Sequence, residues 1–431
     1  MAEVILLRTI SFFQYNKLNK LKQIRNQIFY QQTTYTLSGL RPIFTKYKTY
    51  DEIKNLSIYS RYNENVNLNY LVTEPGTKLL ENLQKINYEN CEYIDFKALD
   101  DLDDNVVEFI SFCYLKQLKE LFLYYSQITD RSLEYLINCN FKQLQKLNLS
   151  YNQITDRAVE HLIKCDFKQL QELNLYNTLI TDRSIEYLIN SNFRQLQKLD
   201  ISYTQITDRA VEHLIKCDFK HIQVLYLQYT QITDLALEHF IKCDFKQLQE
   251  LDISYAQITD RAVEYLIKCN FKQLQKLDIS YTQITDRAIE LLVKCEFIQF
   301  QALILNNIQI TDRALEYLIP SDFKQLKKLS LSYTQITDSA VEHLIKCNFQ
   351  QLQELYLNNT QMTDRALEHF VNCDFKQLKI FDLSYTQITN RSVENFIKCD
   401  FEQLQEVFLS NTKIKNFKEL RLKYPNCLFY S

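Results

Sequence analysis

The chain has 431 residues, 46% of them hydrophobic and 24% charged, with a formal net charge of -3. That balance belongs to a folded, water-soluble chain and supplies no general electrostatic hold on nucleic acid or on an anionic membrane. No uninterrupted apolar run approaches the roughly 18–20 residues that span a bilayer.

Glycine occurs twice and tryptophan never, so the turns must be built from Asn, Asp, Ser and Thr, which tolerate turn geometry at some cost. Residues 1–50 carry eight Lys or Arg against one acidic residue, Glu3. Ile10, Phe13, Leu18, Leu21, Ile24 and Ile28 share one helical face, which predicts a helix docking on the body. A basic, acid-poor, amphipathic start also fits a mitochondrial transit peptide. Glu74-Pro75-Gly76 marks a turn and Leu79–Ile86 a helix. Segment 1–91 as a whole shows no chemistry.

The chain then repeats. The unit Gln257–Thr282, QITDRAVEYLIKCNFKQLQKLDISYT, nearly reproduces itself every 26 residues in both directions with no insertion. A period of this size identifies a solenoid. Residues 92–117 hold a worn copy, in which Leu102, Asp104, Val107, Ile110 and Cys113 stand for Ile128, Asp130, Leu133, Leu136 and Cys139 of the next. Terminal turns are atypical because one face lacks a neighbour. Twelve clean turns follow over 118–415, and 416–431 read as a C-terminal cap: a helix, the turn Tyr424-Pro425-Asn426 and an apolar end.

Within one turn the period switches from two to 3.6. Leu274, Leu277 and Ile279 give a short strand with Lys276, Asp278 and Ser280 on its opposite face. Thr285 or Asp286 then caps a helix whose buried stripe is Ala288, Leu292 and Cys295, with Ile289 and Val293 beside it. Glu and Lys four apart, as in Glu160/Lys164, form a solvated face and no site. A phenylalanine closes each turn, from Phe141 to Phe401, as a core column.

Nine of the twelve cysteines occupy one helix column, with Ser191 and Ser321 replacing two members. Packed helices stand about 8–10 Å apart and a disulfide needs Cα atoms within about 7 Å, so the column reads as reduced packing thiols, which suits an intracellular, cytoplasmic setting. No CxxC or His/Cys cluster has zinc spacing. His161, His213, His239, His343 and His369 share another column, read as exposed helix positions and not as metal ligands. No glycine-rich phosphate loop and no nucleophile with a local His and acid stand out. The expectation is no cofactor, no metal and no catalysis.

The LxxLxL strand, the Ile-Thr-Asp step and the helix that follows resemble the leucine-rich-repeat family, over roughly residues 92–431. Thr204, Thr230, Thr282, Thr334 and Thr360 stand where other repeats carry Asn. The Ile-Thr-Asp opening also resembles F-box/leucine-rich-repeat and cysteine-containing types, although those place cysteine where this chain has Thr or Asn. The resemblance implies an α/β fold: a right-handed leucine-rich-repeat solenoid, or horseshoe, with a parallel sheet on the concave face and helices on the convex face. Strands about 4.8 Å apart against helices about 9 Å apart predict a rotation of roughly 20–25° per turn.

The scaffold positions hold constant while the two concave strand columns vary. The first mostly alternates Glu and Lys; half of the second is Asn and Asp. Val224 with Tyr226 and Ala302 with Ile304 break that rule, and Phe122, Tyr356 and Phe408 add aromatics. Exposed apolar groups rimmed by charge anchor protein interfaces; drift in a recently duplicated array is the alternative. The expectation is a monomeric, non-enzymatic scaffold for a protein partner, binding neither nucleic acid nor membrane. A substrate receptor of a ubiquitin ligase is the second reading, although residues 1–90 lack the Leu-Pro opening typical of an F-box.

Overall fold

A computed structural model describes residues 57–60, 91–95 and 103–430, apart from 114 and 140. The chain divides into two compact units, Met1–Ile53 and Lys54–Ser431. The first unit lies outside the described residues, as do the helices expected over Ile10–Ile28 and Leu79–Ile86.

One 15-stranded sheet follows chain order. Strand Ser57–Ser60, which the sequence did not foreshadow, pairs antiparallel with Cys91–Asp95. Every later pair is parallel, from Cys91–Asp95 beside Glu120–Phe122 to Glu406–Phe408 beside Leu428–Tyr430. Like pairs with like across the turns: Leu277 faces Leu303, and Leu303 faces Leu329.

Each turn is small. Strand Lys276–Asp278 has three residues and helix Asp286–Leu292 seven, too few to stand alone in water. Burial holds them. Leu274, Leu277, Ile279, Ile284, Ala288, Ile289 and Leu292 are all buried, and each large aliphatic side chain so buried contributes about 1.5–3 kcal/mol. The stripe differs from expectation at its end, where Val293 and Cys295 are only half-buried. Ser280 is buried too, not on the solvent face, and its Oγ accepts from the N–H of Asn306 at 3.0 Å.

The cap oxygen is threonine. Thr285 Oγ1 accepts from the N–H of Arg287 at 3.3 Å. Asp286 instead reaches forward, accepting from Thr311 N–H at 2.8 Å and from its hydroxyl at 2.7 Å. A second threonine column lies under the strand exits, where Thr282 Oγ1 donates to the Ile279 carbonyl at 2.7 Å and satisfies a buried acceptor.

Every strand exit from Glu120–Phe122 to Glu406–Phe408 also passes through the left-handed region. Twelve residues there have φ between 50 and 59, and none is glycine: eight are Tyr and four are Asn. At the C-terminus, helix Lys418–Lys423 and strand Leu428–Tyr430 close the stack, with Tyr424 Oη donating to the carbonyls of Cys399 and Phe396 at 2.8 and 3.1 Å. Among the described residues no helix is long and apolar enough to cross a membrane, and no group of three His, Cys, Asp or Glu is placed to hold a metal ion.

Candidate functional site

The concave strand columns form a continuous polar surface whose charges answer one another across turns. Lys146 Nζ bridges Glu120 and Glu172 at 3.4 and 3.3 Å. Lys276 pairs with Glu250 at 3.3 Å and Lys328 with Glu354 at 2.8 Å, both pointing away from the gap that Ala302 leaves between them. Such partly exposed pairs add little to stability; they neutralise the surface.

Tyr226 is not a bare aromatic. Its hydroxyl donates to Glu250 at 2.8 Å, and the ammonium groups of Lys198 and Lys276 lie 5.2 and 5.8 Å from its ring centroid. Burial first, then the bond to Glu250, keeps this phenol well above its ordinary range. Tyr356 repeats the device: its hydroxyl donates to Glu354 at 3.0 Å and Lys328 lies 4.8 Å from its ring centroid.

The other expected anchors fare differently. Val224 and Ala302 are half-buried beside these groups. Ile304 is only 9% exposed, so the expectation of an exposed apolar side chain fails there: flanked by Asp278 and Ser330, it sinks into the sheet. Phe122 lies 5.3 Å from the Tyr93 ring, and Phe408 stacks on Tyr430 at 4.6 Å. Each is a contact to a terminal strand.

Carboxylates crowd the second column. Asp252 and Asp278 lie opposite one another on adjacent strands. Burial, then the charge of Asp278, pushes Asp252 up to about 6; burial also raises Asp278 and Asp200.

A further column escaped notice in the sequence. The tyrosines at the left-handed strand exits stack along the sheet's rim. Tyr203, Tyr229, Tyr255 and Tyr281 stand 4.0, 3.7 and 3.9 Å apart, and Tyr125 and Tyr151 stack at 3.8 Å. The clue was available. Tyr and Asn exchange in one column, and Asn is the ordinary non-glycine occupant of the left-handed region.

Comparison with known proteins agrees with this geometry. The family described as Leucine Rich repeat matches residues 143–162, 247–266 and 273–293. The fold is that of a leucine-rich-repeat solenoid. A chain of the yeast Rad7 and Elc1 complex is similar in structure, with a TM-score of 0.53 at 18% identity, covering 76% of this chain and 84% of that one. An internalin from Listeria monocytogenes matches with a TM-score of 0.49 at 20% identity over 85% of this chain and 91% of its own. A leucine-rich-repeat protein of Leptospira interrogans gives 0.45 at 18% over 84% of this chain and 100% of its own. The curated proteins offer no match.

Two further columns run along the leucine-rich-repeat helices. The histidines are not exposed as expected: His161 and His213 are buried, and neither ring nitrogen of either has a hydrogen-bond partner. Leu291 takes the same place in the turn of Asp286–Leu292 and is buried too. The thiols of Cys165 and Cys347 donate to the carbonyls of His161 and His343, four residues back. Burial pushes the Cys165 and Cys399 thiols up to about 12, so the thiolate needed for nucleophilic chemistry is suppressed.

Proposed function

We propose that this leucine-rich-repeat protein is a non-enzymatic interaction scaffold that holds a protein partner on the concave face of its sheet. The observation that carries the reading is the posture of Tyr226, fixed by Glu250 and flanked by Lys198 and Lys276. A tyrosine already immobilised loses little further freedom on binding, and such residues dominate interface energetics. Tyr356 presents a second such ring five turns on. Val224 shares the strand of Tyr226, Ala302 lies between Lys276 and Lys328, and Ile304 is covered on the same face by its neighbours.

The test is affinity purification with the full chain, parent against Tyr226→Ala/Tyr356→Ala. The double variant is expected to lose a partner that the parent retains, at an unchanged thermal transition. Equal capture by both would sink the reading. Ile304→Lys is not a fair probe, because a lysine at so covered a position would disturb the sheet itself.

The ligase-receptor reading has as support the likeness in fold to a chain of the Rad7 and Elc1 complex. Co-purification with ligase core subunits, abolished by deleting residues 1–90, would favour it over a free-standing scaffold. A monomeric state and a cytoplasmic address complete the proposal. Sedimentation equilibrium tests the first, and imaging of the tagged full chain tests the second against mitochondrial import.

A further inference from the structure

The tyrosine ladder changes character half-way along. Up to Tyr281 every turn contributes a ring. Where the left-handed residue is Asn177, the preceding Tyr176 supplies the ring, 4.9 Å from Tyr151 and 4.8 Å from Tyr203. Beyond Tyr281 the left-handed residues alternate: Asn307, Tyr333, Asn359, Tyr385. The preceding residues are now Asn306 and Asn358, so neither of those two turns provides a ring. Tyr333 and Tyr385, 45% and 54% exposed, stack on no other ring among the described residues.

The unfilled places are one ring wide. In the filled part, successive rings stand 3.7 to 4.0 Å apart, so rings two turns apart leave room for one planar group stacked on both faces. We infer that the slots Tyr281–Asn307–Tyr333 and Tyr333–Asn359–Tyr385 receive two aromatic side chains of an extended, acidic segment of a partner protein.

Three observations select that occupant. The group the chain itself uses to fill this place is a phenol ring, so the ladder is completed by an aromatic. The slots are two turns apart, about 9.6 Å between the strands and about 7.4–8.0 Å at twice the ring spacing of the filled part, a span that aromatic side chains three residues and about 9.3 Å apart on a polyproline-II segment reach by leaning towards each other. The third is charge. Arg313, Arg365 and Arg391 stand exposed where these turns enter their helices. Arg365 lies 3.8 Å from Glu342, whereas Arg313 and Arg391 make no ion pair among the described residues. An acidic segment complements that border. This rim lies outside the concave columns, so the inference stands or falls independently of the function proposed above.

The absence of tryptophan from the chain makes a tryptophan peptide a selective fluorescent probe. The peptide Asp-Trp-Pro-Pro-Trp-Asp is titrated with the full chain. A saturable blue shift is expected, and unlabelled Asp-Tyr-Pro-Pro-Tyr-Asp is expected to compete. Asn307→Tyr/Asn359→Tyr fills both slots with the residue that eight other turns hold in the same conformation, and should weaken binding about tenfold, the worth of lost stacking on two rings. Tyr333→Asn, which removes the shared wall, should do the same by the opposite route. Circular dichroism confirms that each variant is folded. The inference is overturned by absence of binding at millimolar peptide, or by equal binding to parent and both variants. It is equally overturned if the arginine peptide Asp-Arg-Pro-Pro-Arg-Asp competes better than the tyrosine one, or if lysine-flanked and aspartate-flanked probes bind alike.

Discussion

Asp260 grips Thr285 of the following turn twice, accepting from its N–H at 2.7 Å and from its hydroxyl at 2.6 Å. The same clamp recurs from Asp104 with Thr129 to Asp364 with Thr389. The threonine oxygen thereby does two jobs: its hydrogen goes to the aspartate and its lone pair caps its own helix. Helix starts are thus tied turn to turn, so neighbouring turns depend on each other at their rims as well as in the core.

Asp260→Ala removes both bonds and should cost about 2–3 kcal/mol, as expected for charge-assisted bonds in a partly buried place. A lower urea midpoint than the parent's checks it. Asp260→Asn should cost less. Asn390 already holds the Lys415 N–H at 2.8 Å in this column, although there the helix opens with a 3-10 turn.

The Asp252 carboxyl, raised to about 6 by burial and then by Asp278, makes stability depend on pH with a definite sign. The folded state binds that proton more tightly than the unfolded chain does. Its contribution is therefore fully present below 3.8, the ordinary value of an aspartate, and is lost as pH rises towards about 6. Asp252→Asn keeps the oxygen that accepts from Ser254 N–H and removes the charge. It should raise stability by about 1–3 kcal/mol at neutral pH and leave it nearly unchanged in acid. Thermal transitions of both proteins at the two ends of that window test this. A gain equal at both ends would contradict it.

His161 and His213 bury both ring nitrogens without partners, a desolvation that no bond repays. Leu291 shows that the column accepts a leucine. His161→Leu should therefore stabilise the chain by about 1 kcal/mol, read as a higher thermal midpoint. A lower midpoint would mean that the imidazole packs better than leucine in that turn.

Cys165, Cys373 and Cys399 are 1%, 4% and 0% exposed. They should not react with a chromogenic disulfide reagent while the protein is folded, and should titrate as free thiols once it is denatured without reductant. Half-buried Cys243 and Cys295 should react first, and slowly, because burial raises both thiols, to about 11 and about 12.

The scaffold was legible because a strict period converts position into environment. Leu277, Ile284 and Phe271 fall in columns whose chemistry never changes, and each is buried. Exposure at the exceptions was less legible. Whether Ile304 stands out or sinks depends on its neighbours Asp278 and Ser330, and one column cannot report the reach of side chains in the next. Phe122 and Phe408 read as free aromatics because the strands that cover them, Cys91–Asp95 and Leu428–Tyr430, lie outside the clean repeat. The tyrosine ladder stayed hidden for a different reason. A left-handed backbone is a property of Gly and Asn, and nothing in a single tyrosine column reports that neighbouring rings stack on one another across the turns.

That last relationship separates two otherwise equivalent tyrosines. Holding a non-glycine residue in the left-handed region costs roughly 1–2 kcal/mol, and a stacked aromatic pair returns about 0.5–1.5 kcal/mol. Tyr255 stacks on both Tyr229 and Tyr281, at 3.7 and 3.9 Å, so Tyr255→Gly gives up two contacts to relieve one strained residue and should lower the thermal midpoint. Tyr333 has the same backbone, φ 59, and no stacked ring among the described residues. Tyr333→Gly should leave the midpoint unchanged or raise it. Opposite responses at the two sites would establish stacking as the compensation. A matching loss at both would place the stabilisation of Tyr333 in its contacts with the rim and not in the ladder.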